Sequence, residues 1–239
     1  MYDALKIKRP LAEKIVDSSI FILPLGSLEQ HGPHLPLGTD TYIAEEISMR
    51  VANSIENSIL LPILPYGYSW VWRDIPASVT IKEKTLEVLI KEIAHSVYRH
   101  KPKALVVINW HGANVSAIKY AARDLVDEIP LKFYYFNMPS NESFLRIMDS
   151  KPSSLTVHAE EIETSVMLLI KPELVDMSLA KPEYPAQPKA YEKSALCLGT
   201  LSKSGIYGDP SVATKEKGEK FLSIMVDDIL STLREEKII

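Results

Sequence analysis

Glu29, His31, His34 and Asp40 fall within twelve residues, inside the stretch Gly26-Ser27-Leu28-Glu29-Gln30-His31-Gly32-Pro33-His34-Leu35-Pro36-Leu37-Gly38-Thr39-Asp40. Carboxylates and imidazoles at this density are ligands for a borderline divalent cation such as zinc, manganese or iron. The competing reading is a rigid polar turn whose side chains bond their own backbone and rim a pocket. Three other clusters bear on the choice. Asn109-Trp110-His111-Gly112-Ala113-Asn114 puts a histidine directly after an apolar run, beside a glycine that allows close backbone approach. His158 to Ser165 holds a histidine and the carboxylates Glu160, Glu161 and Glu163 ahead of another apolar run. Gly205 to Pro210 carries Asp209 among turn residues.

In extended chain, Glu29 and His31 share one side, and Asp40, at the far end of the loop, can fold back to meet them. A carboxylate can bridge two metals, and a pair about 3.5–4 Å apart holds a shared hydroxide as nucleophile. Such a pair needs about five or six protein ligands, which the first three clusters can supply.

Other chemistries fit less well. The chain has no Gly-Lys-Ser/Thr phosphate loop, no Gly-x-Gly-x-x-Gly dinucleotide turn and no Gly-x-Ser-x-Gly elbow. A serine hydrolase would have to use Ser27, whose Gly26-Ser27-Leu28 context lacks the elbow's second glycine. Cys197 is the only cysteine, so an intrachain disulfide and a multi-cysteine metal site are both excluded. It reads as a small buried hydrophobe rather than a nucleophile. A reducing cytoplasm is the simplest compartment. The net charge of −4 gives no electrostatic case for a nucleic-acid partner. No apolar run approaches the roughly 20 residues that span a bilayer, and Met1-Tyr2-Asp3 does not begin a signal peptide. The expectation is a cytoplasmic protein with no membrane partner.

The elements that must position these residues alternate. A short helix is expected within residues 4–17, then a fully buried strand from Ser19 to Leu25. Ile43, Ala44, Ile47, Val51 and Ile55 recur at helical spacing after the loop, with Thr39, Asp40 or Thr41 as the cap. Ile59 to Leu64 reads as a strand. Residues 65–80 keep no period and gather Tyr66, Tyr68, Trp70 and Trp72, which either line an aromatic pocket or pack at a subunit interface. A helix from Lys82 to His100, a strand from Lys103 to Asn109, a helix to Glu128 and a strand from Leu131 to Phe136 follow. Glu163 to Ile170 reads as helix, residues 178–196 as a surface excursion, and Phe221 to Leu233 as one stripe of a final helix. This alternation predicts an α/β layered fold with a central, mostly parallel sheet flanked by helices. With no repeat and no linker, residues 1–239 are expected to form a single domain.

Glu29 to Asp40, Asn109 to Asn114, His158 to Ser165 and Gly208-Asp-Pro-Ser-Val-Ala-Thr214 together resemble the creatininase (creatinine amidohydrolase) family, in order and over nearly the whole chain. The resemblance implies a single-domain α/β hydrolase of non-peptide C–N bonds. It also implies two divalent metal ions per subunit (zinc, manganese or iron), a small-molecule amide substrate and a homo-oligomer, often a hexamer. Carried over by position, Asp40 bridges the metals, Glu29 and His111 serve one, and His31 serves the other. Where creatininase proper carries a glutamate to complete the second metal, this chain has Ala113. Relatives with glycine there carry an acid that falls on Glu161, so Glu161 is the expected replacement ligand and is grouped with the catalytic residues. His158 resembles the catalytic histidine. His34, Glu163, Asn109, Asn114, Trp70, Trp72 and Arg73 are expected around the ligands or at the substrate, with Arg73 a candidate for an anionic substrate group. Residues 140–157 lack the tryptophans with which creatininase holds its ring, and Leu155 stands nearby, which argues against creatinine. A small cyclic amide or formamide is expected. The alternatives are a formylaminopyrimidine-nucleotide deformylase of flavin or deazaflavin biosynthesis, a creatinine amidohydrolase, and a non-catalytic metal-binding scaffold.

Overall fold

The computed structural model describes residues 1–138, 145–153, 156–191 and 193–239. Five strands form one sheet: β1 (Tyr2–Asp3), β2 (Ile20–Leu25), β3 (Ser58–Leu60), β4 (Ala104–Asn109) and β5 (Phe133–Phe136). Their order is β1-β3-β2-β4-β5 and every pairing is parallel. β2 and β4 are buried at every position, which is why their sequences are continuous apolar runs without polar alternation.

Helices cover both faces. On one lie α2 (Thr39–Asn53), α5 (Glu161–Ile170) and α6 (Lys215–Glu235), sharing a core with Ile22, Val106 and Ile108. On the other lie α1 (Arg9–Ile15), α3 (Glu83–Tyr98) and α4 (Val115–Glu128), packed on Leu23, Leu105 and Val107. α3 presents Leu86, Ile90, Ala94 and Val97 at helical spacing. α5 is buried from Glu161 through Met167, and α6 reaches it closely: a Cβ on Gly218 would sit 2.2 Å from the Ser165 carbonyl.

The chain leaves β2 toward β3 on one side, and leaves β4 toward β5 on the other. The carboxyl ends of β2 and β4, paired through Leu25 and Asn109, therefore form the switch point at which open α/β sheets place their sites.

Several boundaries differ from the sequence expectation. The leading helix covers only Arg9–Ile15 before a 3₁₀ turn at Val16–Ser18. β3 ends at Leu60, and beyond Pro62, which has no N–H to give, only a single bridge joins Leu64 to Leu25. None of Thr39, Asp40 and Thr41 caps α2. Gly38 occupies the N-cap, the Thr39 hydroxyl donates to Pro36, and the Thr41 hydroxyl donates to Ser27. α5 begins at Glu161, two residues early, because the Glu160 carboxylate accepts from the backbone N–H groups of Ile162 and Glu163. The short strand β1 had no legible signal. Among the described residues, no helix is long and apolar enough to cross a membrane.

Candidate metal centre

The loop after β2 is folded back on the start of α2. A Cβ on Gly26 would lie 2.6 Å from the Thr41 Cα, so glycine permits the approach that brings Asp40 beneath Glu29 and His31. Two groups of ligand atoms result, Glu29–Asp40–His111 and His31–Asp40–Glu163, each held within 4.8 Å and all buried. Asp40 belongs to both. Its Oδ1 lies 3.1 Å from His31 Nε2, and its Oδ2 lies 2.9 Å from His111 Nδ1. Glu29 Oε1 is 3.4 Å from His111 Nδ1, and Glu163 Oε2 is 3.7 Å from His31 Nε2.

Backbone carbonyls orient both imidazoles. His31 Nδ1 donates to the Glu29 carbonyl at 3.1 Å, and His111 Nε2 donates to the Tyr68 carbonyl at 3.1 Å. Each ring thus turns its other nitrogen toward the carboxylates, as metal-ligating histidines do. The His111 loop is itself clamped. Asn109 accepts from the His111 N–H and donates to the His111 carbonyl, while Asn114 accepts from Tyr68 and donates to the Gly26 carbonyl. Ser27, which gave the serine-hydrolase reading, is fully buried and donates to Asp40 Oδ2 at 2.7 Å. It steadies the shared carboxylate and has no exposure as a nucleophile.

The electrostatics ask for cations. Burial opposes the charged form of His31 and His111, yet the surrounding carboxylates outweigh it and raise them to about 10 and about 9. Burial pushes Glu163 up to about 7, and Glu29 upward as well. Asp40 is held below the usual range, because the two histidines overcome its burial. Glu29 Oε2 is buried without a hydrogen-bond partner. An orphaned carboxylate oxygen in an all-oxygen-and-nitrogen donor set fits two divalent cations sharing Asp40.

Glu161 does not reach this cluster, which corrects the expectation that it replaces the missing acid. Its carboxylate is fully buried on the other side of α5, where it accepts from the Asp149 and Ser150 N–H groups and pairs with Lys217. Its neighbour Glu163 stands where the acid absent at Ala113 was needed. The position of Glu163 is secured by the Ala159 N–H, which donates to it at 2.6 Å. Ala159 adopts a left-handed φ of 52°, turning the chain so that His158 and Glu163 face one another's side of the site. Replacing Lys217 with methionine strands the Glu161 charge. The expected loss in chemical denaturation is about 3–5 kcal/mol, with the metal ligands untouched.

His158 joins the site from the opposite wall, with Nδ1 3.7 Å from Glu29 Oε1. Burial and the neighbouring His31 hold it neutral. Its Nε2 sits between the Gln30 carbonyl (2.8 Å) and the Gln30 side-chain nitrogen (2.9 Å). Either tautomer therefore finds a partner there. His34 is outside both ligand groups, with Nε2 2.9 Å from the Thr164 hydroxyl. A cavity of about 300 Å³ opens over the cluster, walled by Val71, Trp72, Trp110, Met138 and Leu198 as well as by the acids and histidines. Trp70 and Arg73 do not line it. They lie one 3₁₀ turn apart on the outer face, with the guanidinium 4.0 Å over the Trp70 ring. This corrects their expected place at the substrate. Leu155 lies outside the described residues. Gln30, Ser27 and the Tyr68 carbonyl were not anticipated. Only the first two sit in the motif stretch, where their proximity in sequence was the available signal.

The creatininase (creatinine amidohydrolase) family model matches residues 8–233. A mycofactocin precursor peptide peptidase of Mycobacterium ulcerans is 33% identical over 223 residues, which cover 89% of this chain and 83% of that protein. The creatinine amidohydrolase of Pseudomonas putida is 27% identical, with 91% of this chain and 89% of that protein covered. A zinc–zinc form of creatininase superposes with a TM-score of 0.83 at 26% identity, covering 98% of this chain and 97% of that one. A match of this extent, over a fold and a ligand cluster of this kind, makes the chain a member of the creatininase family.

Proposed function

We propose that this creatininase-family hydrolase cleaves the C–N bond of a small cyclic amide or formamide at a binuclear metal centre. The observation that supports it most is Asp40, whose two oxygens face two different histidines. In this reading Glu29, Asp40 and His111 hold one divalent cation, and His31, Asp40 and Glu163 the other. When bound, such a pair supplies a nucleophilic water at neutral pH and a Lewis acid for the amide carbonyl. Ser27 and the backbone carbonyls keep the ligands aimed, and the apolar wall keeps bulk water away from the reacting bond. His158, neutral and with either tautomer accommodated by Gln30, takes up a proton on the cavity side and delivers it to the leaving nitrogen.

The neutral, largely apolar wall supports an uncharged substrate. Arg73, the cation offered for an anionic group, is engaged with Trp70 at the surface, so nothing at the cavity favours a nucleotide substrate. The likeness to the mycobacterial peptide peptidase supports a second reading, cleavage of a short peptide.

Two experiments test the proposal. Chelation followed by dialysis abolishes hydrolysis of the active member of a panel of lactams, formamides, creatinine and short peptides, and zinc or manganese restores it. Hydrolysis that survives chelation and is blocked by serine reagents contradicts the reading. In the second, Glu163→Gln lowers the metal content by about one ion per chain, whereas Glu161→Gln leaves it unchanged. Elemental analysis separates the two.

A further inference from the structure

His158 is gripped on both faces of its ring. The Trp72 indole stacks on one face, with centroids 4.6 Å apart and planes 20° from parallel. On the other, the His31 imidazole lies 4.3 Å away. Trp72 is 2% exposed and backed edge-on by Tyr207 at 6.0 Å. Tyr207 ties the same assembly to the histidine's backbone: its N–H donates to the His158 carbonyl at 2.9 Å, and its hydroxyl donates to the Leu198 carbonyl at 2.6 Å. Trp72 and Tyr207, with Val71, Ile75, Leu198 and Leu201 around them, form a small hydrophobic cluster separate from the two faces of the sheet. Two segments far apart in sequence, around residues 70–75 and 198–207, are thereby joined directly over the histidine.

We propose that Trp72 is a positioning residue whose stacked indole fixes the plane of the His158 imidazole and keeps Nδ1 directed at the reacting centre. The proposal rests on His158 being the proton carrier of the proposed reaction. With Nε2 tied to Gln30, the ring keeps one torsional freedom, rotation out of its plane, and that motion is blocked by the indole on one side and His31 on the other. An imidazole free to tilt would meet the leaving nitrogen in the wrong geometry, and misplacement by about 1 Å costs on the order of 10²-fold in rate. The indole face also covers the ring against water, which an aliphatic side chain of similar bulk does less completely.

The test uses the zinc-loaded protein and diethyl pyrocarbonate as a probe of the ring, with carbethoxylation of His158 followed by peptide mass spectrometry. Trp72→Met is expected to react severalfold faster at His158 than wild type at unchanged zinc content, and Trp72→Phe is expected to restore the slow rate. On whichever amide wild type hydrolyses, Trp72→Met lowers turnover by about 10²-fold with KM little changed, and Trp72→Phe recovers most of it. Equal reactivity in all three proteins, or a Phe variant as reactive as the Met variant, overturns the proposal. If Trp72→Met does not fold, the wild-type protein still decides. The ring protons of His158, identified by their loss in His158→Gln, must be shifted upfield by the indole, and unshifted signals overturn the stacking. A His158→Gln variant that retains full turnover defeats the reading of His158 itself, an outcome separate from any result at Trp72.

Discussion

Asp40→Ala is expected to lose both metals together and to bring hydrolysis down to background. Each other ligand serves one group of donor atoms, whereas Asp40 is common to both. Its removal also strands two histidines whose orientation was set to face it, and leaves the Ser27 hydroxyl without its acceptor. Glu29 and Glu163 would then stand as buried carboxylates on either side of a gap, too few to hold a cation each. Elemental analysis of the purified variant reads the result directly. Retention of one metal at full occupancy would show that the two groups are independent and that Asp40 does not join them.

His158→Gln is expected to separate chemistry from metal binding. The imidazole stands 3.7 Å from Glu29 and stacks between Trp72 and His31, but the two groups sharing Asp40 are complete without it. Metal content should stay at the wild-type level while turnover falls by about 10²–10⁴-fold, the usual worth of a positioned acid–base group. Glutamine keeps comparable bulk against Trp72 and can still bond Gln30, so the fold is spared. Loss of metal in this variant would instead make His158 a ligand, an arrangement that the proximity of Glu29, His31 and His158 also permits.

The parts of the molecule dictated by local periodicity were legible in the sequence. The apolar runs of β2 and β4, the stripes of α2, α3 and α6, and the loop joining Glu29 to Asp40 follow from side-chain pattern and from glycine and proline placement. The choice between Glu161 and Glu163 was not legible. The two acids are two residues apart, and on a helix such residues point about 200° away from one another. One must face the site and the other must face away, and the phase depends on where the helix starts. Glu160, by capping, sets that start, and Lys217, more than fifty residues on, supplies the partner that makes a buried Glu161 tolerable. The aromatic loop posed the same difficulty on a smaller scale. In its 3₁₀ turn, Trp70 and Arg73 share the outer face and Trp72 takes the inner one, a distinction that depends on a turn with no periodic signal. What holds Trp72 inward is Tyr207, a contact between segments that no local pattern relates.

Anomalous diffraction at the metal edges, from crystals of the metal-loaded protein, bears most directly on the central claim. The expected result is two peaks about 3.5–4 Å apart on either side of Asp40, one against Glu29 and His111 and the other against His31 and Glu163, with Glu161 still paired to Lys217. A single peak, or a second peak coordinated by Glu161, would contradict it.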